Sequence, residues 1–333
     1  MRRSVRNAAS WRRLRESVGA RLSQVSRSGE NAVRINPSAN QLLNTFAATL
    51  ELNGNGKRGG EYYAGVDLGT AYIVTAVVDS EGVPVAGAIT RSLSSIRDGV
   101  VLDYMGAIRF VREQVTAIRN AGFAIRVAEA AYPPGTEGAN TRAVANVLEA
   151  ADLDVTGLID EPSAAALVLG IRDGAVVDIG GGTTGISILH DGKVVYTADE
   201  ATGGTHLDLV LAGHFKIDAQ EAEKIKTDAS RQRDIFPVVR PVFEKMASIV
   251  NHHLKGHQVQ ALYLVGGTSC FPGIVQVMED ETGLPVALPD NPLLVTPLGI
   301  ALSCARRHRK AVAEESQSKD QSGGKLKARQ KTR

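Results

Sequence analysis

Two acidic residues occupy equivalent places in two copies of one pattern. Asp67 lies in Val66-Asp67-Leu68-Gly69-Thr70, between an apolar run and the alternating Ile73-Val74-Thr75-Ala76-Val77-Val78. Asp178 lies in Val177-Asp178-Ile179-Gly180-Gly181-Gly182-Thr183-Thr184-Gly185, ahead of Ile186-Ser187-Ile188-Leu189. Each segment reads as strand, glycine turn, strand, with the carboxylate at the end of the first strand. Glycine lets successive backbone N–H groups converge on phosphate oxygens, and Thr70, Thr183 and Thr184 add hydroxyl donors. A carboxylate beside such a cradle repels phosphate unless a cation lies between them. Asp67 and Asp178 therefore read as water-mediated ligands of a Mg²⁺ ion that bridges the phosphates. Either turn alone could be a plain tight hairpin. The pair, in matching frames, argues for two hairpins gripping a nucleoside polyphosphate from both sides.

Two other phosphate-site readings fail. Gly180, Gly182 and Gly185 satisfy G-x-G-x-x-G, and Asp199 and Glu200 fall near the distance of a ribose-binding acid. That fingerprint must open a helix, whereas residues 186 to 189 alternate and run into a turn. No G-x-x-x-x-G-K-[ST] segment occurs, which excludes a P-loop.

The elements around the hairpins repeat as well. After each, a second turn (Asp79-Ser80-Glu81-Gly82; His190-Asp191-Gly192-Lys193) opens a third β-rich run, Val83-Pro84-Val85 or Val194-Val195-Tyr196. A duplicated three-strand meander implies two related lobes. Helical stripes supply their cover: Ile108, Val111, Val115 and Ile118; Val144, Val147, Leu148 and Ala151; and Val242, Met246, Ile249, Val250 and Leu254. His252, His253 and His257 fall near the end of the third stripe, with no carboxylate or cysteine close in sequence.

With these segments the chain resembles the actin, Hsp70 and sugar-kinase superfamily, whose phosphate 1 and phosphate 2 loops the two hairpins match. The other family elements follow in order over residues 61 to 304. Asp160-Glu161-Pro162-Ser163-Ala164-Ala165-Ala166 resembles the first connecting helix, and Thr296-Pro297-Leu298-Gly299-Ile300-Ala301 the second. Ala222-Glu223-Lys224-Ile225-Lys226 resembles the adenosine-side helix, and Leu264-Val265-Gly266-Gly267-Thr268-Ser269 the adenosine loop. Pro133-Pro134-Gly135-Thr136, the run 198 to 204 and Val242-Phe243-Glu244-Lys245-Met246 look most like the ethanolamine utilization protein J family. These are Hsp70-like ATPases encoded with bacterial microcompartment enzymes.

The resemblance implies an α/β fold of two RNase H-like lobes around a cleft, with reduced outer subdomains. It implies ATP and Mg²⁺ as cofactors. Asp67 and Asp178 become the metal residues, and Glu161 and Asp178 the catalytic ones, with Glu161 orienting the attacking water. Gly69, Thr70, Gly180, Gly181, Gly182, Thr183, Gly203, Gly204, Glu223, Lys226, Gly266, Gly267 and Thr268 become the nucleotide contacts. The implied function is assistance to microcompartment enzymes or shell proteins, as a chaperone or assembly factor. An actin-like scaffold or filament that self-associates is the alternative. Departures from the family bear on rate and on base choice. No lysine lies between Lys57 and Lys193, so the first-lobe catalytic lysine of Hsp70 proteins is missing. Gly185 holds an acidic position, and Thr227 and Cys270 stand where Hsp70 proteins place adenine-flanking arginines.

Composition narrows the setting. No stretch nears the roughly 18 apolar residues of a membrane helix, and two cysteines, Cys270 and Cys304, are too few for a disulfide framework. Both features fit a cytoplasmic protein, alone or associated with a microcompartment. The net charge of +2 hides a segregation, because residues 1 to 60 hold 11 Lys/Arg against 3 Asp/Glu and residues 306 to 333 hold 10 against 3. Nucleic acid is not the expected partner, since no aromatic interleaving accompanies this charge. Four regions follow: a basic extension with a glycine linker (1–60), lobe I (61–172), lobe II (173–304) and a basic tail with too few apolar residues to order (305–333). Within the extension, Trp11, Leu14, Val18, Leu22 and Val25 predict a basic amphipathic helix, suited to docking on a microcompartment shell or enzyme, which the resemblance favours, or to an anionic membrane surface or organellar targeting; Leu42, Leu43, Phe46 and Leu50 predict a second helix. The linker predicts that the extension is separable from the lobes.

Overall fold

The computed structural model describes residues 33–51, 60–92, 96–97, 100–101, 103–133 and 139–330. Strands β1 (Tyr62–Leu68), β2 (Tyr72–Asp79) and β3 (Pro84–Arg91) form the first antiparallel meander. Its second turn closes where the Asp79 carboxylate accepts from the N–H groups of Glu81 and Val83, with Gly82 at φ 87°. A short ribbon follows, β4 (Ile96–Arg97) with β5 (Val100–Val101), then α2 (Tyr104–Asn120), β6 (Val127–Tyr132), α3 (Ala139–Ala150) and β7 (Asp154–Asp160). Parallel strands need a crossover, and the helices supply it. The sheet order is β3-β2-β1-β6-β7.

The second lobe repeats this plan. Strands β8 (Gly174–Ile179), β9 (Thr184–His190) and β10 (Lys193–Glu200) form the meander. Helices α5 (Gly204–Phe215), α6 (Ala219–Thr227) and α7 (Gln232–Leu254) lead to β11 (Leu262–Val265), α8 (Ile274–Thr282) and β12 (Val286–Ala287). Its order, β10-β9-β8-β11-β12, is that of the first sheet. Between these two sheets' described elements, the additions to the repeated plan are the short ribbon in the first lobe and two further helices where α5, α6 and α7 stand in place of α2 alone, so the outer subdomains are reduced, as the sequence implied.

The predicted stripes lie inward. Ile108, Val111, Val115 and Ile118 of α2 are buried with Val144, Val147 and Leu148 of α3 in one cluster beneath the first sheet. On α7, Met246, Val250 and Leu254 are buried while Val242 and Ile249 are only partly so. That helix starts earlier than its stripe suggested and carries Pro237 and Pro241 inside its first turns.

Two helices exchange between lobes. Helix α4 (Glu161–Leu169) leaves the first sheet and packs Ala165, Val168 and Leu169 with Val176, Leu189 and Val265 of the second. Helix α9 (Val295–Gln330) leaves the second lobe and packs Leu298, Ala301 and Cys304 with Tyr63, Val74 and Ala76 of the first. The crossing is close: a Cβ on Gly299 would lie 2.0 Å from the Ala164 carbonyl oxygen, and one on Gly65 2.2 Å from the Ala301 nitrogen. Burial pushes the Cys304 thiol up to about 12, so it behaves as a small apolar group.

Two expectations about the ends change. Helix α1 (Pro37–Thr49) is no separable extension, since Leu43 and Phe46 are fully buried in the same cluster as α4 and α9. It packs on β3, where a Cβ on Gly87 would lie 2.5 Å from the Phe46 ring. It also reaches the loop before α9: Asn44 donates to Asp290 at 2.8 Å, Asn291 donates to Asn44 at 2.7 Å, and the Asp290 N–H donates to Asn40 at 3.0 Å. The stripe ahead of a glycine linker read as independent because its receiving surface lies far along the chain. The predicted helix around Trp11 to Val25 and the linker 53 to 59 lie outside the described residues. At the other end α9 continues past 304. Ala305 is buried, Arg307 pairs with the fully buried Glu129 at 2.5 Å, and the Tyr63 hydroxyl meets His308 at 3.0 Å. Basic residues that looked like the start of a tail have acidic and aromatic partners on the first lobe. No helix among the described residues is long and apolar enough to cross a membrane.

Candidate functional site

A cleft opens where the two meanders face each other. Asp67 and Asp178 hold the same position, next to last in β1 and β8, and both line it. The hairpin turns meet across it: a Cβ on Gly181 would lie 3.0 Å from the Ala71 Cβ of the other lobe. The glycine loop is fixed from behind by α5, whose Gly204 and Thr205 N–H groups donate to the carbonyls of Gly180 and Gly181 at 3.0 and 2.8 Å. Thr268 Oγ1 also donates to the Gly180 carbonyl, at 2.7 Å, tying the Gly266-Gly267-Thr268 loop to the same point. Gly266 needs its freedom, with φ at 87° and the space of a Cβ already filled by Asp178 Oδ1 at 2.3 Å.

Asp67, Asp178 and Glu161 place three mutually repelling carboxyl groups in this cleft. Burial, reinforced by Asp178, pushes Asp67 up to about 7. Burial raises Asp178 to about 6, against the relief of a hydrogen bond from Thr296 Oγ1 at 3.1 Å and with further repulsion from Asp199. Glu161, the first residue of α4, is raised well above the usual carboxylate range by burial, then by Asp178, Asp67, Asp199 and Asp160. Its position is set by Asp160, whose carboxylate caps the helix through the Ser163 N–H at 2.9 Å, and by Pro162 in the first turn. Acidic groups crowded this way lack a positive charge between them. Among the described residues no three His, Cys, Asp or Glu side chains stand close enough to chelate a metal directly. The donor set fits a cation that keeps its water shell and touches the carboxylates through it, which is the habit of Mg²⁺.

The structure gathers Gly69, Thr70, Gly180, Gly181, Gly182, Thr183, Gly204, Glu223, Lys226, Gly266, Gly267 and Thr268 on the cleft walls, with Thr227 and Cys270 beside them. Gly203 does not line it. A Cβ there would lie 2.7 Å from the Gly181 oxygen, so Gly203 sits behind the loop and lets α5 approach it.

The motifs missed several residues at or beside the cleft. Arg91, at the end of β3, reaches across to form an ion pair with Glu223 of α6. The register Tyr72↔Arg91 places it at the same sheet end as the Asp67 turn, a signal present in the meander pattern. Asp208 pairs with Lys226 at 2.6 Å and lies one helical turn after Gly204. Thr296, at the start of the second connecting helix, donates to Asp178, a role its segment did not signal.

Two lobes of one topology, joined by exchanged helices over a cleft with paired acidic hairpins, define an actin- and Hsp70-type fold. The solved structure of MreB 5 of Spiroplasma citri bound to AMPPNP shares it at a TM-score of 0.60 and 18% identity, covering 79% of this chain and 99% of that one. Residues 171–296 match the family described as Type IV pilus assembly protein PilM. The ethanolamine utilization protein EutJ of Escherichia coli (strain K12) is 44% identical over 244 residues, 72% of this chain and 85% of that protein. The crystal structure of EutJ from Carboxydothermus hydrogenoformans is 48% identical with a TM-score of 0.75, covering 80% of this chain and 98% of that one. The chain belongs to the EutJ family of ethanolamine utilization proteins.

Proposed function

We propose that the chain binds Mg²⁺–ATP in the cleft and assists the enzymes or shell of an ethanolamine-utilising microcompartment, by slow hydrolysis or by binding alone. The observation that carries this reading is the pair of facing hairpins, each presenting one acidic residue beside a glycine turn. Family membership supports the ethanolamine setting and, with it, a cytoplasmic location.

The chemistry divides among named residues. Mg²⁺ would neutralise phosphate charge and bridge it to Asp67 and Asp178. The glycine loop 180–182 and Thr70 and Thr183 would hold the phosphates. Glu161 would orient a water, and a carboxyl whose proton affinity is raised by burial is a better base near neutral pH than an exposed one. Arg91, a first-lobe cation paired with the cleft residue Glu223, is committed to that carboxylate rather than to a phosphate. Turnover is therefore slow, well below a typical enzyme's roughly 10 per second. Calorimetric titration of Mg²⁺–ATP, with phosphate release followed in parallel, tests both parts; no binding sinks the reading, and several turnovers per second without a partner sink its slow form.

A second reading, an actin-like scaffold, is favoured by β10. This edge strand alternates exposed and half-buried residues along its whole length, with Val195 56% exposed. Sedimentation with ATP at rising protein concentration separates the two, because a filament pellets and a monomer stays in solution.

A further inference from the structure

The second sheet ends in a strand that is bonded on one side. β10 closes the order β10-β9-β8-β11-β12 and pairs with β9. Among the described residues, no backbone hydrogen bond outside the sheets reaches any residue from Lys193 to Asp199. In an antiparallel strand alternate residues turn both N–H and C=O away from the neighbour, so this edge is a row of open donors and acceptors. Short strands and covering helices are the usual protection. The opposite edge of this sheet, β12, has two residues, and in lobe I α1 lies on β3. β10 has neither defence: it runs for eight residues, its Val194-Val195-Tyr196-Thr197 are strong strand formers, and Val195 is 56% exposed.

The charges and the bulge say what fits this edge. Lys193 stands at one end of the strand and Glu200 at the other, so an antiparallel strand of the same sequence brings opposite charges together at both ends. β10 carries one extra residue, Val195, against β9, and a bulge sets two residues against one. With Thr197 facing its own copy, Tyr196 faces Ala198, Val194 and Val195 together face Asp199, and Lys193 comes level with Glu200. Thr197 against Thr197 is itself a favourable cross-strand pair. Glu200 bonds His253 at 2.8 Å through Oε1, yet its side chain remains 42% exposed, which leaves its other oxygen for an ammonium group.

We propose that β10 pairs antiparallel with β10 of a second copy of this chain, across a two-fold axis at Thr197, and joins two five-stranded second-lobe sheets edge to edge. Main-chain hydrogen bonds supply the contact, and the two Lys193–Glu200 pairs fix its register. The same patch serves both partners, so the contact closes after two copies and gives a dimer rather than a filament. The inference goes beyond the nucleotide reading and does not rest on it.

The test is sedimentation equilibrium of the full chain without nucleotide over a wide range of concentration. A monomer–dimer equilibrium that grows no further is expected. Thr197→Lys sets like charges face to face across the axis at an exposed position, and is expected to weaken the dimer at least about tenfold. Lys193→Glu and Glu200→Lys are each expected to weaken it similarly, and an equal mixture of the two to restore it, because each chain then meets its opposite charge. If Glu200→Lys unfolds because His253 loses its partner, Thr197→Lys decides alone. A monomer at every concentration overturns the inference, as do growth beyond two copies and a dimer indifferent to Thr197→Lys. Calorimetric titration of Lys193→Glu with Mg²⁺–ATP reads the nucleotide site separately, so failure there leaves the dimer standing.

Discussion

The two lobes share a strand order but are finished differently. In lobe I the edge strand β3 is sheathed by α1, a helix from before the first strand. In lobe II the equivalent edge, β10, has no such cover among the described residues and exposes alternate side chains. The cleft is uneven in the same way. Lobe II supplies the long glycine loop, the loop 266–268 and the α5/α6 wall, whereas lobe I supplies a shorter turn and Glu161, with Arg91 paired to Glu223 of the opposite wall. On the nucleotide reading proposed above, lobe II would hold the ligand and lobe I would close on it.

The most severe way to break this comparison is to strip lobe I of its sheath. Phe46→Ala removes a fully buried ring and is expected to destabilise the protein by about 3 to 5 kcal/mol in denaturant unfolding; an unchanged midpoint would mean that α1 is ornamental. The next largest effect falls on lobe II's loop. Gly203→Val forces a side chain against backbone atoms 2.7 Å away and is expected to weaken nucleotide binding by up to about a hundredfold, taking the upper end of overpacking costs. Thr70→Ala in lobe I should cost less than about tenfold. Equal losses would abolish the distinction between holding and closing.

Asp178→Asn should weaken Mg²⁺-dependent nucleotide binding by about tenfold or more, the worth of one charge-assisted contact. Calorimetry with and without Mg²⁺ reads it. Acidity acts on the same groups. Because burial raises Asp67 to about 7 and Asp178 to about 6, above an unfolded value of about 3.9, the ligand-free folded chain binds more protons than the unfolded one between those limits. Their contribution therefore favours folding at low pH and is lost as pH rises from about 4 to 7. Asp67→Asn should flatten that slope in thermal unfolding. Cation binding needs the ionised forms and should weaken as pH falls from 8 to 6; a flat profile would remove both aspartates from the metal site. The smallest effect belongs to Arg91→Ala. Loss of its partly exposed pair with Glu223 should speed release of a fluorescent nucleotide by about two- to fivefold, and an unchanged rate would deny lobe I its part in closure.

How far the sequence announced all this depends on separation along the chain. The hairpins were legible because their carboxylate, glycines and strands are contiguous, and the repeat made each a check on the other. The connecting helices were legible from Pro162 and the alanines, whose small side chains signal close approach. Contacts made at a distance were not. Nothing near Phe46 points to β3, and nothing near Arg307 points to Glu129. His253 seemed remote from any acid, yet folding brings Glu200 to 2.8 Å and the Tyr196 hydroxyl to 2.7 Å. Asp208 is a further omission: its spacing from Gly204 put it on the cleft side of α5, but its pairing with Lys226 is revealed only by the folded arrangement.

The exchange of α4 and α9 has a bearing on ancestry and dissection. Each sheet borrows one covering helix from the other half, so neither half cut free at residue 172 would be complete; each would expose the groove its borrowed helix fills. Two identical halves could repair this by trading those helices, as a swapped pair. A duplicated gene whose product first existed as such a pair would, once fused end to end, inherit this plan of mutual lending, with Gly299 and Ala164 marking where the two loans cross.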